Sequence, residues 1–237
     1  MISVATITNK QSPSIYKNIF NNYINQSYIN EELILIINIS DSINNRINEL
    51  LNELLIERCT SKLDCELIKK SIKIHNFPGN TLGDCLNKSA ELAIGEYWSK
   101  FDDDDKYGCN YLENSILYLK KSGADIVGKR RIFVEDKQTN SLYLTNSRNL
   151  VRPPNHKFTD FIRGPTFFCK RILVLQIQFP NKNEGEDSEF LRRCTRARRR
   201  IYTTDESDFV YIRNSEIGQT SRMSIKQVLG NNATKLN

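Results

Sequence analysis

The first hundred residues alternate between short strand-like runs and segments with helical periodicity. Leu33–Ile37 is an unbroken apolar run, which is typical of a strand covered on both faces. Similar strand-like runs occur at Ile2–Ile7, Ser71–His75 and Tyr97–Phe101, and apolar residues recur every three or four positions between them. This alternation predicts an α/β fold with an open, mostly parallel central sheet flanked by helices.

Capping and turn residues punctuate the predicted helices. Ser12 and Pro13 predict a helix start, because serine is a favoured N-cap and proline a favoured first helical residue. Ser42 predicts the cap of a second helix, and the turn at 78–80 leads to a third helix that ends at Gly95.

The chain beyond residue 109 is predicted to contain two helices, a hairpin, a long loop and further strands. The segments are a helix at Asn110–Ser122, a hairpin from Ile126–Val134 and Leu142–Leu144, a loop at Arg148–Lys157, a strand at Phe161–Cys169, a helix at Glu186–Arg200, and strands near Ile201 and at Phe209–Ile212.

Composition restricts the class of protein. Hydrophobic residues form 39% of 237 residues, which favours a globular domain over a disordered chain. No segment approaches the roughly 20 apolar residues that span a bilayer, and Met1–Ala5 lacks the features of a signal peptide. The six cysteines are scattered, so we expect free thiols in a reducing compartment such as the cytoplasm. His75 and His156 do not have the spacing of zinc ligands.

The net charge of +6 owes much to an arginine-rich run at 192–200. This run fits a solvated helix face. It also fits contact with an anion, which leaves open a diphosphate, an acidic acceptor, peripheral contact with a membrane surface, or nucleic acid.

Four consecutive aspartates, Asp102–Asp105, follow the predicted strand at Tyr97–Phe101. Two unit charges 4 Å apart repel by about 1 kcal/mol in water and by several times more near a protein surface. In an extended segment Asp102 and Asp104 face the same side, which predicts a pair of oxygen ligands for Mg²⁺ or Mn²⁺. Ligands bind at the carboxyl ends of strands in such sheets. A solvated acidic loop is the alternative.

Four motifs resemble family 2 glycosyltransferases of the GT-A fold. Gly95–Asp105 resembles the family signature "G-E-Y-I-x-F-L-D-x-D-D", and Gly83–Ser89 resembles its "G-x-x-x-N-x-G" helix with Ser89 in place of glycine. Ser3–Asn9 resembles the opening strand, and Gly185–Phe190 resembles the "G-E-D-x-x-F" motif. The motifs occur in the family's order, and they are most similar to bacterial enzymes of spore-coat and cell-surface glycosylation.

The resemblance implies a GT-A fold with a small mixed sheet on the acceptor side. It implies one domain over residues 1–213, with a nucleotide-binding half at about 1–107 and an acceptor-side half at about 108–213. Residues 214–237 are predicted to form a polar C-terminal tail.

The resemblance also implies roles for single residues on the donor side. Asn38 stands where the family has an aspartate, with Asp41 close by, and no histidine follows Arg213 to complete a metal site. The implied metal ligands for Mn²⁺ or Mg²⁺ are Asp102, Asp104 and Asp105. The implied nucleotide contacts are Thr6, Thr8, Asn9, Asn38, Asn87, Asp102 and Asp103.

Gly185-Glu186-Asp187 is the second acidic motif. Carboxylates are favoured at a helix N-terminus, so the motif fits a helix cap. The resemblance implies that Asp187 is the general base that deprotonates the acceptor, with Glu186 beside it. It places Arg163, Gly164 and Thr166 on the acceptor side.

The sequence thus predicts a metal-dependent, inverting family 2 hexosyltransferase. Its donor would be a UDP-, dTDP- or GDP-sugar and its acceptor a hydroxyl of a glycan or protein, with no nucleic acid as partner. Three alternatives remain. The first is a degenerate transferase fold kept for interaction alone, against which the presence of both acidic motifs argues. A nucleotidyltransferase on a similar sheet would normally carry a glycine-rich phosphate loop, which residues 8–12 lack. A non-catalytic binding module for anionic polymers or nucleic acid would normally avoid a cluster of four carboxylates.

Overall fold

The computed structural model describes residues 1–40, 44–58, 61–145, 158–213, 224–230 and 233–236. The strands are β1 (Ile2–Thr8), β2 (Glu31–Ile37), β3 (Ile72–Asn76), β4 (Tyr97–Lys100), β5 (Lys106–Tyr107), β6 (Ile126–Lys129), β7 (Phe133–Asp136), β8 (Ser141–Leu144), β9 (Phe158–Thr159), β10 (Phe168–Lys170), β11 (Ile201–Thr204), β12 (Phe209–Arg213) and β13 (Thr234–Lys235). The helices are α1 (Pro13–Ile24), α2 (Asn44–Arg58), α3 (Lys62–Ser71), α4 (Leu82–Leu92), α5 (Tyr111–Ser122), α6 (Arg171–Ile177), α7 (Glu186–Arg196) and α8 (Ile225–Leu229), with a 3₁₀ turn at Gly164–Thr166.

The main sheet has the strand order β3-β2-β1-β4-β10-β6-β11-β9. Strands β1 to β4 pair in parallel, while β10 is antiparallel to both β4 and β6. The smaller sheet has the order β13-β8-β7-β12-β5 and is mixed. The predicted α/β fold, with a mostly parallel central sheet and a second mixed sheet, is confirmed.

Helices cover both faces of β2, which explains its unbroken apolar sequence. Leu33, Leu35 and Ile37 share one buried cluster with residues of α1 and α2. Ile34 and Ile36 pack on the other face with residues of α4. Alternate residues of a strand face opposite sides, so a strand between two helical layers needs apolar residues at every position.

Ser89 lies where the family resemblance expects glycine, and the structure gives its hydroxyl two partners. Ser89 Oγ donates to the carbonyl of Leu86 at 2.6 Å and accepts from Trp98 Nε1 at 3.1 Å. Trp98 is fully buried, so its indole N–H requires an acceptor. Serine at this position therefore supports the strand that leads to the aspartates.

Several local predictions were wrong in extent. The predicted strand at Phe161–Cys169 is a 3₁₀ turn followed by β10, because Thr166 N donates to the carbonyl of Arg163 and turns the chain. The predicted helix at Glu186–Arg200 ends at Arg196, and Arg198 has a φ of 55°. Helix α3 was not predicted. The predicted cap Ser42 and the loop at Arg148–Lys157 lie outside the described residues.

The hairpin prediction was right in part. Strands β7 and β8 pair antiparallel, but β6 belongs to the main sheet. Two elements of the C-terminal segment contact the domain, since β13 pairs with β8 and Val228 of α8 is buried. Cys65, Cys85, Cys109, Cys169 and Cys194 are free thiols, as predicted, and Cys59 lies outside the described residues. Within the described ranges, every helix is too short or too polar to cross a bilayer.

Candidate active site

A cleft of about 920 Å³ opens at the carboxyl ends of β1 and β4. It is bordered by the aspartate run on one side and by the start of α7 on the other. Both acidic motifs therefore face one space, although they lie far apart in the sequence. The predicted site residues that line the cleft are Asn9, Asn38, Asp102, Asp103, Asp104, Arg163, Gly164, Glu186 and Asp187.

Five predicted site residues lie behind the cleft wall instead. Thr6 is buried in β1, and Thr8 donates from Oγ1 to Asp103 Oδ2 at 2.6 Å. Asn87 exchanges two hydrogen bonds with the backbone of Phe179. The remaining two are Thr166, whose hydroxyl bonds to the carbonyl of Arg163 and the amide of Lys129, and Asp105.

The aspartate run is not extended, because the chain turns at Asp103 and Asp104 directly after β4. Asp103 and Asp104 both contact the ammonium of Lys10, at 2.8 and 3.0 Å. Asp102 points toward Lys100 instead, at 3.4 Å. A turn, and not the alternation of an extended strand, therefore places Asp102 and Asp104 at the cleft.

Asp105 anchors the turn to the rest of the fold. Its carboxylate is fully buried and accepts from Ile212 N at 2.9 Å. Its carbonyl accepts from the side-chain amides of Asn18 and Asn22 in α1. Burial and the neighbouring carboxylates raise the pKa of Asp105 well above its usual value. These contacts identify Asp105 as a structural residue that fixes the other aspartates at the cleft.

Tyr107 connects the aspartate turn to the opposite wall. Its hydroxyl accepts from Asp102 N and donates to the carbonyl of Pro165, both at 2.8 Å. Its ring stacks on Phe101 with a centroid separation of 3.7 Å. The donor-side aspartates and the 3₁₀ turn at Gly164–Thr166 are therefore held in a fixed relation.

The positive charge that the aspartate run requires comes partly from two lysines that sequence reasoning missed. Lys10 lies two residues after the end of β1, and Lys100 is the last residue of β4. The Lys100 side chain is buried and its Nζ lies 2.8 Å from Asp187 Oδ2. Burial lowers the pKa of Lys100, but the carboxylates of Asp102, Asp187 and Glu186 raise it further, so the ammonium is retained. In the sequence, a lysine at the end of a strand of otherwise buried residues is the feature that could have identified this charge.

The second acidic motif begins α7. The helix N-cap is Gly185, with a φ of 75°, and no side chain caps the helix. The carboxylates of Glu186 and Asp187 follow this cap in the first turn and line the cleft. Burial and the charge of Asp187 raise the pKa of Glu186 to about 7.

Gly164 permits the position of Asp187. A Cβ on Gly164 would lie 1.6 Å from Asp187 Oδ2 and 2.3 Å from its Cγ. These distances are far inside van der Waals contact, so only glycine allows the 3₁₀ turn to approach the carboxylate this closely. Gly164 thus shapes the site through Asp187.

The cleft offers carboxylate oxygens for a divalent cation, although no group of three or more ligand side chains occurs within the described residues. Mg²⁺ commonly binds one or two carboxylates and completes its shell with water and substrate phosphates. Asp102 and Asp104 at the cleft surface suit that mode of binding. The donor set therefore fits a cation that binds together with a diphosphate.

The arginine-rich run lies away from the cleft. Arg192, Arg193 and Arg196 surround the carboxylate of Glu189, with the shortest ion pair at 2.8 Å. Arg199 pairs with Asp125 at 3.6 Å. The arginines of α7 thus form a solvated helix face, and the rest of the run lies beyond the end of the helix. The arginines that line the cleft are Arg130 and Arg163.

Solved structures with a similar fold include S. aureus TarS 1-349 in complex with UDP-GlcNAc. It matches with a TM-score of 0.64 and 16% identity over 94% of this chain and 61% of that chain. The mannosyltransferase PcManGT from Pyrobaculum calidifontis, in complex with GDP-Man and Mn²⁺, matches with a TM-score of 0.61 and 15% identity over 90% of this chain and 56% of that chain.

The chain therefore has the predicted GT-A fold and spans about 60% of the length of the TarS 1-349 structure. No protein-family model and no curated protein sequence matches it.

Proposed function

We propose that the protein transfers a sugar from a nucleoside-diphosphate sugar to a hydroxyl acceptor, with a divalent cation and with inversion at the anomeric carbon. One observation carries the proposal. Asp102–Asp104 and Glu186-Asp187, from two distant motifs, face the same cleft. The ammonium of Lys100 lies between the two motifs and contacts Asp102, Glu186 and Asp187. The complexes of similar folds with UDP-GlcNAc and with GDP-Man and Mn²⁺ support this assignment.

The donor side comprises Asn9, Asn38 and the aspartate turn. Asn38 is held by a 2.7 Å hydrogen bond from its Nδ2 to the carbonyl of Asn80, which leaves its carbonyl oxygen for a nucleotide. Asp102 and Asp104 would hold Mn²⁺ or Mg²⁺, which supplies positive charge to the departing diphosphate. Lys10 adds a fixed positive charge beside Asp104.

The acceptor side is built around Asp187. In an inverting transfer the acceptor hydroxyl loses its proton as its oxygen attacks the anomeric carbon, and the diphosphate departs. Asp187 takes that proton, and a positioned general base contributes typically 10²- to 10⁴-fold to the rate. The acceptor is a hydroxyl of a glycan or protein, for which we propose a bacterial surface glycan. Arg163 and Gly164 form the wall beside it.

The test uses paired variants and the release of nucleoside diphosphate from UDP-GlcNAc and GDP-mannose in the presence of Mn²⁺. Asp104→Ala and Asp187→Ala should each abolish most of the turnover. Glu189→Ala is the matched control, because Glu189 lies in the same helix as Asp187 but pairs with surface arginines. Wild-type turnover in Asp187→Ala would remove it as the base, and wild-type turnover in Asp104→Ala would remove it from the donor site.

A further inference from the structure

Lys100 occupies an unusual place for a lysine. It lies at the end of β4 inside the main sheet, paired with Ala5 of β1, and its amide donates to the carbonyl of Phe167 at 2.9 Å. The residue is only 3% exposed. A buried ammonium is unfavourable unless carboxylates compensate it, so the contacts of Lys100 decide what it does.

Three carboxylates surround the Lys100 ammonium, and they come from both acidic motifs. Asp187 Oδ2 lies at 2.8 Å and Asp102 Oδ1 at 3.4 Å, while Glu186 Oε1 lies at 3.9 Å. Among the described residues, no other lysine or arginine nitrogen lies within 4 Å of Asp102 or Asp187. Lys100 is therefore the one charge in the described structure that joins the donor-side aspartate to the predicted base.

Without the Lys100 ammonium, three carboxylates would share a small space with no compensating charge. Like charges at such separations repel, so loss of the ammonium would push the carboxylate of Asp187, in the first turn of α7, away from that of Asp102. The second oxygen of Asp187, Oδ1, is buried and has no hydrogen-bond partner in the described part of the chain. The bond from Lys100 to Oδ2 thus sets the direction in which Oδ1 points.

We propose that Lys100 is a positioning residue, which holds Asp187 at a fixed orientation and a fixed distance from Asp102. The inference rests on the proposed transferase function. Asp187 must meet the acceptor hydroxyl while the anomeric carbon is held by donor contacts at the aspartate turn. A rigid link between the two carboxylates keeps the base aligned with the reacting carbon, and misplacement of such a group by about 1 Å can lower the rate roughly 10²-fold.

The test is chemical rescue of Lys100→Ala. This variant should lower kcat for the release of nucleoside diphosphate by about 10²-fold or more, because Asp187 loses its fixed orientation. The affinity for UDP or GDP, measured by calorimetry, should change far less. Propylammonium should restore turnover with a saturable dependence on concentration, because it replaces the missing ammonium. Tetramethylammonium at equal concentration should not, since it has no N–H donor.

Two further variants separate positioning from folding. In Lys100→Ala combined with Asp187→Ala, propylammonium should give no rescue, because the group that Lys100 positions is absent. If Lys100→Ala does not fold, Lys100→Met combined with Glu186→Gln removes one positive and one negative charge together. This double variant should turn over more slowly than Glu186→Gln alone. Its melting temperature should stay close to that of Glu186→Gln.

Wild-type kcat in Lys100→Ala, or equal kcat in the double variant and Glu186→Gln, would overturn the positioning role. Absence of rescue in a folded Lys100→Ala variant would overturn it too. If the wild type itself releases no nucleoside diphosphate from either donor, the proposed function fails instead, so the two failures are distinguishable.

Discussion

The substitution Gly164→Ala tests the acceptor side of the cleft through a single added methyl group. The new Cβ would lie 1.6 Å from Asp187 Oδ2, whereas ordinary van der Waals contact begins at 3.4 Å. The carboxylate must therefore retreat by roughly 2 Å, or the 3₁₀ turn must move by a similar amount. The φ of Gly164 lies outside the left-handed region, so alanine itself adds no backbone strain.

The size of the effect follows from these distances. A displacement of about 1 Å can cost 10²-fold in rate, and a general base contributes about 10² to 10⁴. We therefore expect turnover to fall about 10²- to 10⁴-fold. Overpacking costs typically about 1–3 kcal/mol of stability, which lowers the melting temperature of a chain of this size by about 2–4 °C per kcal/mol. Nucleotide affinity should change little, because the donor contacts lie at the aspartate turn.

The assay is a double-mutant cycle that combines Gly164→Ala with Asp187→Ala and measures turnover in each variant. Truncation of Asp187 removes the contacts at 1.6 and 2.3 Å and leaves only the contact of 2.9 Å to Cβ. Gly164→Ala should then cause little further loss of activity in the Asp187→Ala background. Equal losses in both backgrounds, or wild-type turnover in Gly164→Ala, would refute the idea that Gly164 acts through Asp187.

Three further outcomes are expected. Asp105→Ala should lower the free energy of unfolding by about 1–3 kcal/mol in denaturant titrations, because Ile212 N loses its acceptor. EDTA should abolish turnover, and Mn²⁺ or Mg²⁺ should restore it. Activity that survives chelation would mean that Lys10, and not a cation, neutralises the charge of the departing diphosphate. Burial and Asp187 raise the pKa of Glu186 from 4.5 to about 7, so the folded state binds this proton more tightly than the unfolded chain. The contribution of Glu186 to the stability of the wild type should therefore fall across that interval as pH rises, and Glu186→Gln should gain melting temperature over the wild type at pH 8 relative to pH 4.

The fold could be predicted because its signals are local. The unbroken apolar run of β2 reports burial on both faces, and the helical spacing of Ile15, Ile19 and Phe20 reports one buried face of α1. The start of β10 after Gly164 and the end of α7 before Arg198 could not be predicted. They depend on a 3₁₀ turn and on a positive φ, which the residue types do not specify.

The site was predictable in composition but not in arrangement. The two acidic motifs meet at the cleft as the family resemblance implies. The partners of each carboxylate depend on the turn after β4 and on the register of β1 with β4, which the sequence does not encode locally. The contacts of Lys10 with Asp103 and Asp104 and the burial of Asp105 against Ile212 are therefore visible only in the folded chain.

Thermal denaturation with UDP, GDP and dTDP, each with and without Mn²⁺, measures whether nucleoside diphosphates bind at the aspartate turn. A ligand at 100 times its Kd stabilises the folded state by about 2.7 kcal/mol, which corresponds to roughly 5–11 °C for a chain of this size. We expect such a shift with at least one nucleotide and Mn²⁺, its retention in Glu189→Ala and its loss in Asp104→Ala. No shift with any of the three nucleotides, or an equal shift in Asp104→Ala, would contradict the account.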